Sequence, residues 1–148
     1  MELHFEPVTM ENKAQMEQLQ LLPAQSGFIE SVSECLSEAK ECQAWRPVGI
    51  YDQDTLIGFA MYGCFPEPAP RVWLDRLLID QSFQGKGYGK AAVAALLERI
   101  RTEYGCGRVY LSVYDVNTTA IALYEKIGFR FNGELDTKGE KVMVLSFS

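Results

Sequence analysis

No stretch of this 148-residue chain approaches the roughly 20 consecutive apolar residues that cross a bilayer as a helix. A membrane role is therefore not expected. Residues 1–6 carry no basic segment ahead of an apolar block, so no secretory leader is expected either, and the cytoplasm is the expected compartment. Histidine occurs once, at His4, which argues against Ser-His and Cys-His nucleophile systems. Cys35, Cys42, Cys64 and Cys106 are scattered and contain no C-x-x-C pair. Zinc ligation needs tighter spacing, and a cytosolic setting argues against disulfides. All four read as small packing residues, and no metal is expected.

Basic residues are scarce in the first third. Residues 1–45 hold eight acids (Glu2, Glu6, Glu11, Glu17, Glu30, Glu34, Glu38, Glu41) against Lys13 and Lys40. Residues 46–148 hold twelve acids and twelve bases, so the whole net charge of −6 arises in the first third. Such a surface repels nucleic acid and attracts cations. A solvated acidic helix face gives the same pattern.

What is present describes one domain, residues 1–148, with no repeat or linker. A chain this long can bury a core without disulfides. Alternating apolar residues predict strands over 3–8, 47–51, 55–62, 71–79, 108–114, 129–135 and 140–147. Helical spacing predicts helices over 10–22, 28–42, 88–104 and 118–127, the last capped by Asn117 or Thr118 and stopped by Gly128. Residues 65–70, with three prolines, cannot continue a ladder and form a loop. The order is β-α-α-β-β-β-α-β-α-β-β: a single mixed sheet flanked by about four helices, of the α/β (α+β) class.

Gln84-Gly85-Lys86-Gly87-Tyr88-Gly89-Lys90 joins the fourth strand to the third helix. Three glycines in five positions leave the N–H groups uncovered at a helix N-terminus, where they and the helix dipole favour phosphate. A dinucleotide fingerprint starting at Gly85 would need glycine in place of Lys90. A Walker A motif ending at Gly89-Lys90 would need glycine at Gln84 and Ser or Thr at Ala91. Both fail.

Gln84-x-x-Gly87-x-Gly89, following Val72 to Ile79, resembles the coenzyme A signature of the GNAT acetyltransferases, R/Q-x-x-G-x-G/A. A second landmark is similar too: Leu111-Ser112-Val113, then Asn117, Ala120, Leu123-Tyr124 and Gly128-Phe129. The element order matches the GNAT fold over nearly the whole chain. Within the family the chain looks most like the bacterial spermine/spermidine (diamine) acetyltransferases of the Blt type. That resemblance lies in Phe28-Ile29-Glu30-Ser31, Ala39-Lys40-Glu41-Cys42, Gly58 to Gly63, Arg71 to Arg76, Asn132 to Asp136 and Gly139 to Val144.

The resemblance implies direct acetyl transfer from acetyl-CoA to a primary amine, with spermine or spermidine the expected acceptor. It implies that the strands over 71–79 and 108–114 splay around the cosubstrate's arm. Leu77, Leu78 and Ile79 would bind that arm, and one amide there would polarise the thioester carbonyl. Gln84, Gly85, Lys86, Gly87, Tyr88, Gly89 and Lys90 would hold the pyrophosphate, and Asn117 would touch the arm. Tyr124 matches the tyrosine that many family members use as general acid. An amine with a pKa of about 10.4 must lose a proton first, at a cost of roughly 4 to 5 kcal/mol at pH 7. Asp75 is the candidate base; the other reading pairs it with Arg76 or Arg71. Glu30, Glu34 and then Glu67 are the candidate acceptor-binding residues. Acetylation of another amine, such as an antibiotic or a protein N-terminus, and a non-catalytic acyl-CoA-binding module are the alternatives. Similar proteins suggest a homodimer.

Overall fold

The computed structural model describes residues 2–20, 31–66, 69–136 and 138–147. Seven strands form one sheet in the order β1-β2-β3-β4-β5-β7-β6. They are β1 (Leu3–Pro7), β2 (Trp45–Asp52), β3 (Thr55–Phe65), β4 (Arg71–Ile79), β5 (Arg108–Val113), β6 (Arg130–Leu135) and β7 (Lys141–Ser146). The helices are α1 (Lys13–Glu17), α2 (Val32–Glu41), α3 (Tyr88–Tyr104) and α4 (Thr118–Ile127). β4 is the middle strand, as apolar positions on both its faces suggest.

Two apolar layers fix the helices to the sheet. Under α3 and α4 lie Val93, Leu96, Leu97 and Ile100 of α3 against Val72, Leu74, Leu111, Met143 and Leu145 of the strands. On the opposite face Met16 of α1 and Val32, Cys35 and Leu36 of α2 pack on Tyr51, Phe59, Met61 and Leu78. Burial at these positions removes apolar surface from water at about 25 cal/mol per Å². The Ser33 hydroxyl donates to Glu17 at 2.9 Å and ties α2 to α1.

α2 starts later than the apolar pattern suggests. Ser31 is its N-cap, in extended conformation, and forms a capping box with Glu34. The Ser31 hydroxyl accepts from the Glu34 N–H at 3.2 Å, and the Glu34 carboxylate accepts from the Ser31 N–H at 3.1 Å. Two otherwise unpaired donors are thus satisfied, which ends the helix at that point. The expected residues 28–30 lie outside the described residues. α1 is also shorter than the expected 10–22, of which 21 and 22 are not described. The bounds of β4, α3 and α4 are those expected.

Two irregularities shape the middle of the sheet. Opposite β3, Arg76 pairs with Met61 and Leu74 with Tyr62, leaving Asp75 as an extra residue on β4. A bulge of this kind bends its strand and redirects side chains. On its other side β4 runs parallel to β5 and meets it at a single position, Trp73 opposite Tyr110. β4 and β5 therefore part beyond that rung.

Candidate active site

The divergence of β4 and β5 leaves a cavity of about 780 Å³ on the α3/α4 face. That volume lies within the range of small-molecule sites, about 300 to 1,000 Å³. Its walls come from three places: the end of β4 (Leu77, Leu78, Ile79), the glycine loop with the start of α3 (Gln84, Gly85, Gly87, Gly89, Lys90), and α4 (Asn117 to Ala120, Ala122 to Tyr124, Lys126). Residues far apart in sequence are gathered because both helices begin at this end of the sheet.

The loop's shape follows from its glycines. Gly85 has φ +78° and Gly87, the α3 N-cap, φ +85°. A side chain at either would meet open space, so glycine is needed there for its backbone angle rather than for room. Successive amides in such a bend form an anion-binding concavity. The Gln84 side-chain amide donates to the Ile79 carbonyl at 2.8 Å and moors the loop to β4. Asn117 caps α4, its side chain accepting from the Ala120 N–H at 3.4 Å. The cavity therefore faces two helix N-termini at once, with Lys90 beside that of α3 and Lys126, from the last turn of α4, also in its wall. Every one of these charges and dipoles favours an anion. The donor set suits a diphosphate.

Two expected loop residues point elsewhere. Tyr88 donates from its hydroxyl to the Asp52 carboxylate at 2.6 Å, across to the β2–β3 turn. That bond raises the tyrosine's pKa and lowers the aspartate's. The Lys86 ammonium lies over the Phe83 ring, 5.7 Å from its centre. Neither side chain lines the cavity; their main-chain groups belong to the loop.

Tyr124 lines the cavity from α4 and is held edge-on to Phe129, centroids 5.6 Å apart. Burial alone pushes its hydroxyl up to about 12. The residue as a whole is only half-buried.

Across the sheet, on the α1/α2 face, stands a second group of side chains. Arg76 donates to the Asp75 carboxylate and, at 3.1 Å, to the Asp75 carbonyl; its other terminal nitrogen reaches Glu38 of α2 at 3.4 Å. Of the two readings of Asp75, the structure contains the ion pair with Arg76. Arg71 instead binds both Glu134 oxygens at 3.1 Å and lies over the Tyr110 ring at 4.3 Å. Of the expected acceptor residues, Glu30 and Glu67 lie outside the described residues. Glu34 is engaged in the capping box. Glu38, on the same acidic face but outside the candidate set, is the α2 carboxylate that reaches β4. The four-residue step from Glu34 was the available signal.

Sequence reasoning also missed Thr118, Thr119, Ala122 and Lys126 in the cavity wall. None stands one turn from Tyr124; the available signal was that Thr118 and Thr119 directly follow the Asn117 cap.

The sequence pattern of the acetyltransferase (GNAT) family matches residues 13–129. The chain is 48% identical over 149 aligned residues to the spermine/spermidine N(1)-acetyltransferase of Bacillus subtilis (strain 168), covering 97% of this chain and 98% of that one. Among solved structures, an aminoglycoside acetyltransferase in complex with coenzyme A superposes with a TM-score of 0.80 at 20% identity, covering 98% of this chain and 95% of that one. A spermidine N-acetyltransferase from Vibrio cholerae, in complex with CoA and spermine, gives 0.71 at 20% identity over 96% and 92%. These structures share the fold described above.

Proposed function

Because the chain belongs to the acetyltransferase (GNAT) family, we propose that it moves an acetyl group from acetyl-CoA directly to a primary amine, and that the amine is a polyamine of the spermine and spermidine class. The observation that carries this reading is the single cavity shared by the end of β4, the glycine loop, Asn117 and Tyr124. Polyamine as acceptor is supported by the Bacillus subtilis relative, matched over almost its full length, and by the acidic surplus of the first third.

In this reading the amides of Gly85 to Gly89 and the α3 dipole hold the pyrophosphate. The end of β4 aligns the arm and offers an amide to the thioester oxygen. The acceptor approaches from the opposite face, through the gap between β4 and β5. The amine nitrogen, once neutral, forms a bond to the acetyl carbon as the carbon–sulfur bond breaks. The proton shed by the new amide nitrogen goes to the sulfur, so the charges balance.

Tyr124 stabilises that departure. With its pKa at about 12 it keeps its proton throughout the working range. A thiol ionises near about 8.5, so full transfer from Tyr124 to sulfur would be uphill. Its contribution is a hydrogen bond donated to the developing thiolate. Before any of this a carboxylate must take the ammonium proton, and Asp75 and Glu140 both stand beside Arg76.

Calorimetry with coenzyme A and acetyl-CoA, followed by thiol-release assays on spermine, spermidine and a simple monoamine, tests the reading. Binding of both coenzyme forms and a higher kcat/KM for the polyamines are expected. No heat with either coenzyme form overturns the acetyl-transfer reading. Equal rates on the monoamine overturn the polyamine part alone.

A further inference from the structure

We propose that Glu140 is the carboxylate that takes the proton from the acceptor ammonium, an inference that rests on the acetyl-transfer reading above. Its position is set by a tight turn. Asp136 Oδ1 accepts from the main-chain N–H of Lys138 at 2.9 Å and of Glu140 at 2.8 Å, and the Asp136 N–H donates to the Glu140 carbonyl at 2.9 Å. The main chain entering β7 is thereby fixed.

Strand alternation then sets the face. Met143 and Leu145 point into the layer under α3. Residues 140, 142 and 144 share the opposite face, and β7 pairs Lys141 with Val113 at the end of β5. Glu140 thus stands just past the end of β5, on the α1/α2 face. Arg76 is on β4, two residues before Leu78, which packs on that same face. The two residues flank the gap between β4 and β5 on the side away from the cofactor cavity. An amine entering that gap toward the thioester passes between them.

The electrostatics agree with this placement. Glu140 is half-buried, and desolvation is the main reason its carboxyl is pushed up to about 6. The charge of Asp136 and a hydrogen bond between the two carboxyls add to the rise, while Arg76 and Lys138 oppose it. The bond to Asp136 exists when Glu140 carries a proton, so the incoming proton has a waiting partner. At neutral pH the group is mostly ionised yet more basic than an ordinary carboxylate, which suits a general base. Asp75 differs: its carboxylate is bonded by Arg76, and would have to leave that pair to act. In the step itself the ammonium N–H bond breaks, Glu140 becomes neutral, and the freed amine lone pair attacks.

The test compares full-length wild type with E140Q, D136N and D75N, measuring kcat and kcat/KM for spermine at saturating acetyl-CoA between pH 5 and 9, with circular dichroism as the folding control. Wild type should lose activity below a limb near pH 6. E140Q should lose about 10² to 10⁴-fold in kcat, together with that limb. D136N keeps the turn's acceptor oxygen but removes a charge, so the limb should move to lower pH. D75N removes a negative charge and one of the partners of Arg76, whose charge then acts more fully on Glu140, and should also move the limb down rather than abolish it. If E140Q does not fold, the D136N shift decides. An E140Q profile that is lower but retains the limb, a D136N limb that does not move, or loss of the limb in D75N alone overturns the assignment. A wild type that acetylates no amine overturns the acetyl-transfer reading instead.

Discussion

Tyr104 and Tyr124 are both pushed up to about 12, with burial the leading cause in each. They differ in purpose. The Tyr104 hydroxyl is buried with no hydrogen-bond partner among the described residues. An unsatisfied buried hydroxyl costs stability, so Tyr104→Phe should raise the unfolding free energy by about 1 kcal/mol in urea titrations. The sign with pH follows from the raised values. Below pH 10 both states keep the phenolic proton, and the stability these groups contribute is fully present. Above it the unfolded chain loses protons that the folded chain retains, so stability falls as pH rises from 10 through 12. The fall should be shallower in Tyr104→Phe. Tyr124→Phe, by contrast, should lower kcat by about 10- to 100-fold with the shape of the pH profile unchanged between 6 and 9, because a hydrogen bond is lost rather than a titrating acid. At this scale the chain was partly legible. Tyr124 and Asn117 stood out through their spacing to the second landmark. Glu34 has a structural task that the sequence also signals: Ser31-x-x-Glu34 is a capping-box pattern, and the carboxylate closes the helix end. Nothing in the residue order announced that Asp75 sits in a bulge, since the register that makes it one belongs to its pairing with β3.

Elements with a strong period and a hard stop were read to their bounds. α3 is capped by Gly87 and Gly105, both at positive φ, and its apolar stripe is unbroken. α4 runs from the Asn117 cap to Gly128. α1 gave a weak period, and five residues of helix were found where thirteen were expected. The glycine loop was expected to bind phosphate, and its two left-handed residues were not separable by sequence from its third glycine. Gly87→Ala would add a Cβ that meets nothing, yet would force a positive φ on a branched backbone position at roughly 1 to 2 kcal/mol. That strain falls on the amides that line the cavity. Coenzyme A affinity should therefore drop by about tenfold or more in calorimetry, while thermal unfolding shifts by only a few degrees. Gly89 is different: its Cβ would touch Leu123 at 3.6 Å, an ordinary contact, so its role is compatible with alanine.

Among the described residues, the acidic helix α2, with Glu34, Glu38 and Glu41, packs on one face of the sheet, and the cavity with its two helix N-termini lies on the other. In the proposed reaction a polycation and an anionic cosubstrate would thus be attracted to separate faces rather than competing for one. Surface fields of this kind are screened within about 8 to 10 Å at physiological salt. The kcat/KM for spermine should fall as sodium chloride rises from 20 to 300 mM, and fall more steeply than for a monoamine of similar size, because several charges are steered at once. Fold class, strand order along the chain and most of the residues that meet in the cavity were legible because glycines and apolar periods are local signals. The charged group around Arg76 was not, because it is assembled from β4, α2 and the β6–β7 turn, which only the folded sheet brings together.

A sheet joined at one rung between β4 and β5 is two leaves with a seam. Each leaf ends there on an inner rim that its neighbour does not close. Whatever occupies the seam also mends it. A bound cosubstrate would therefore act as a mortar as well as a reactant, making the two halves of the molecule more nearly one body for as long as the acetyl group is in place.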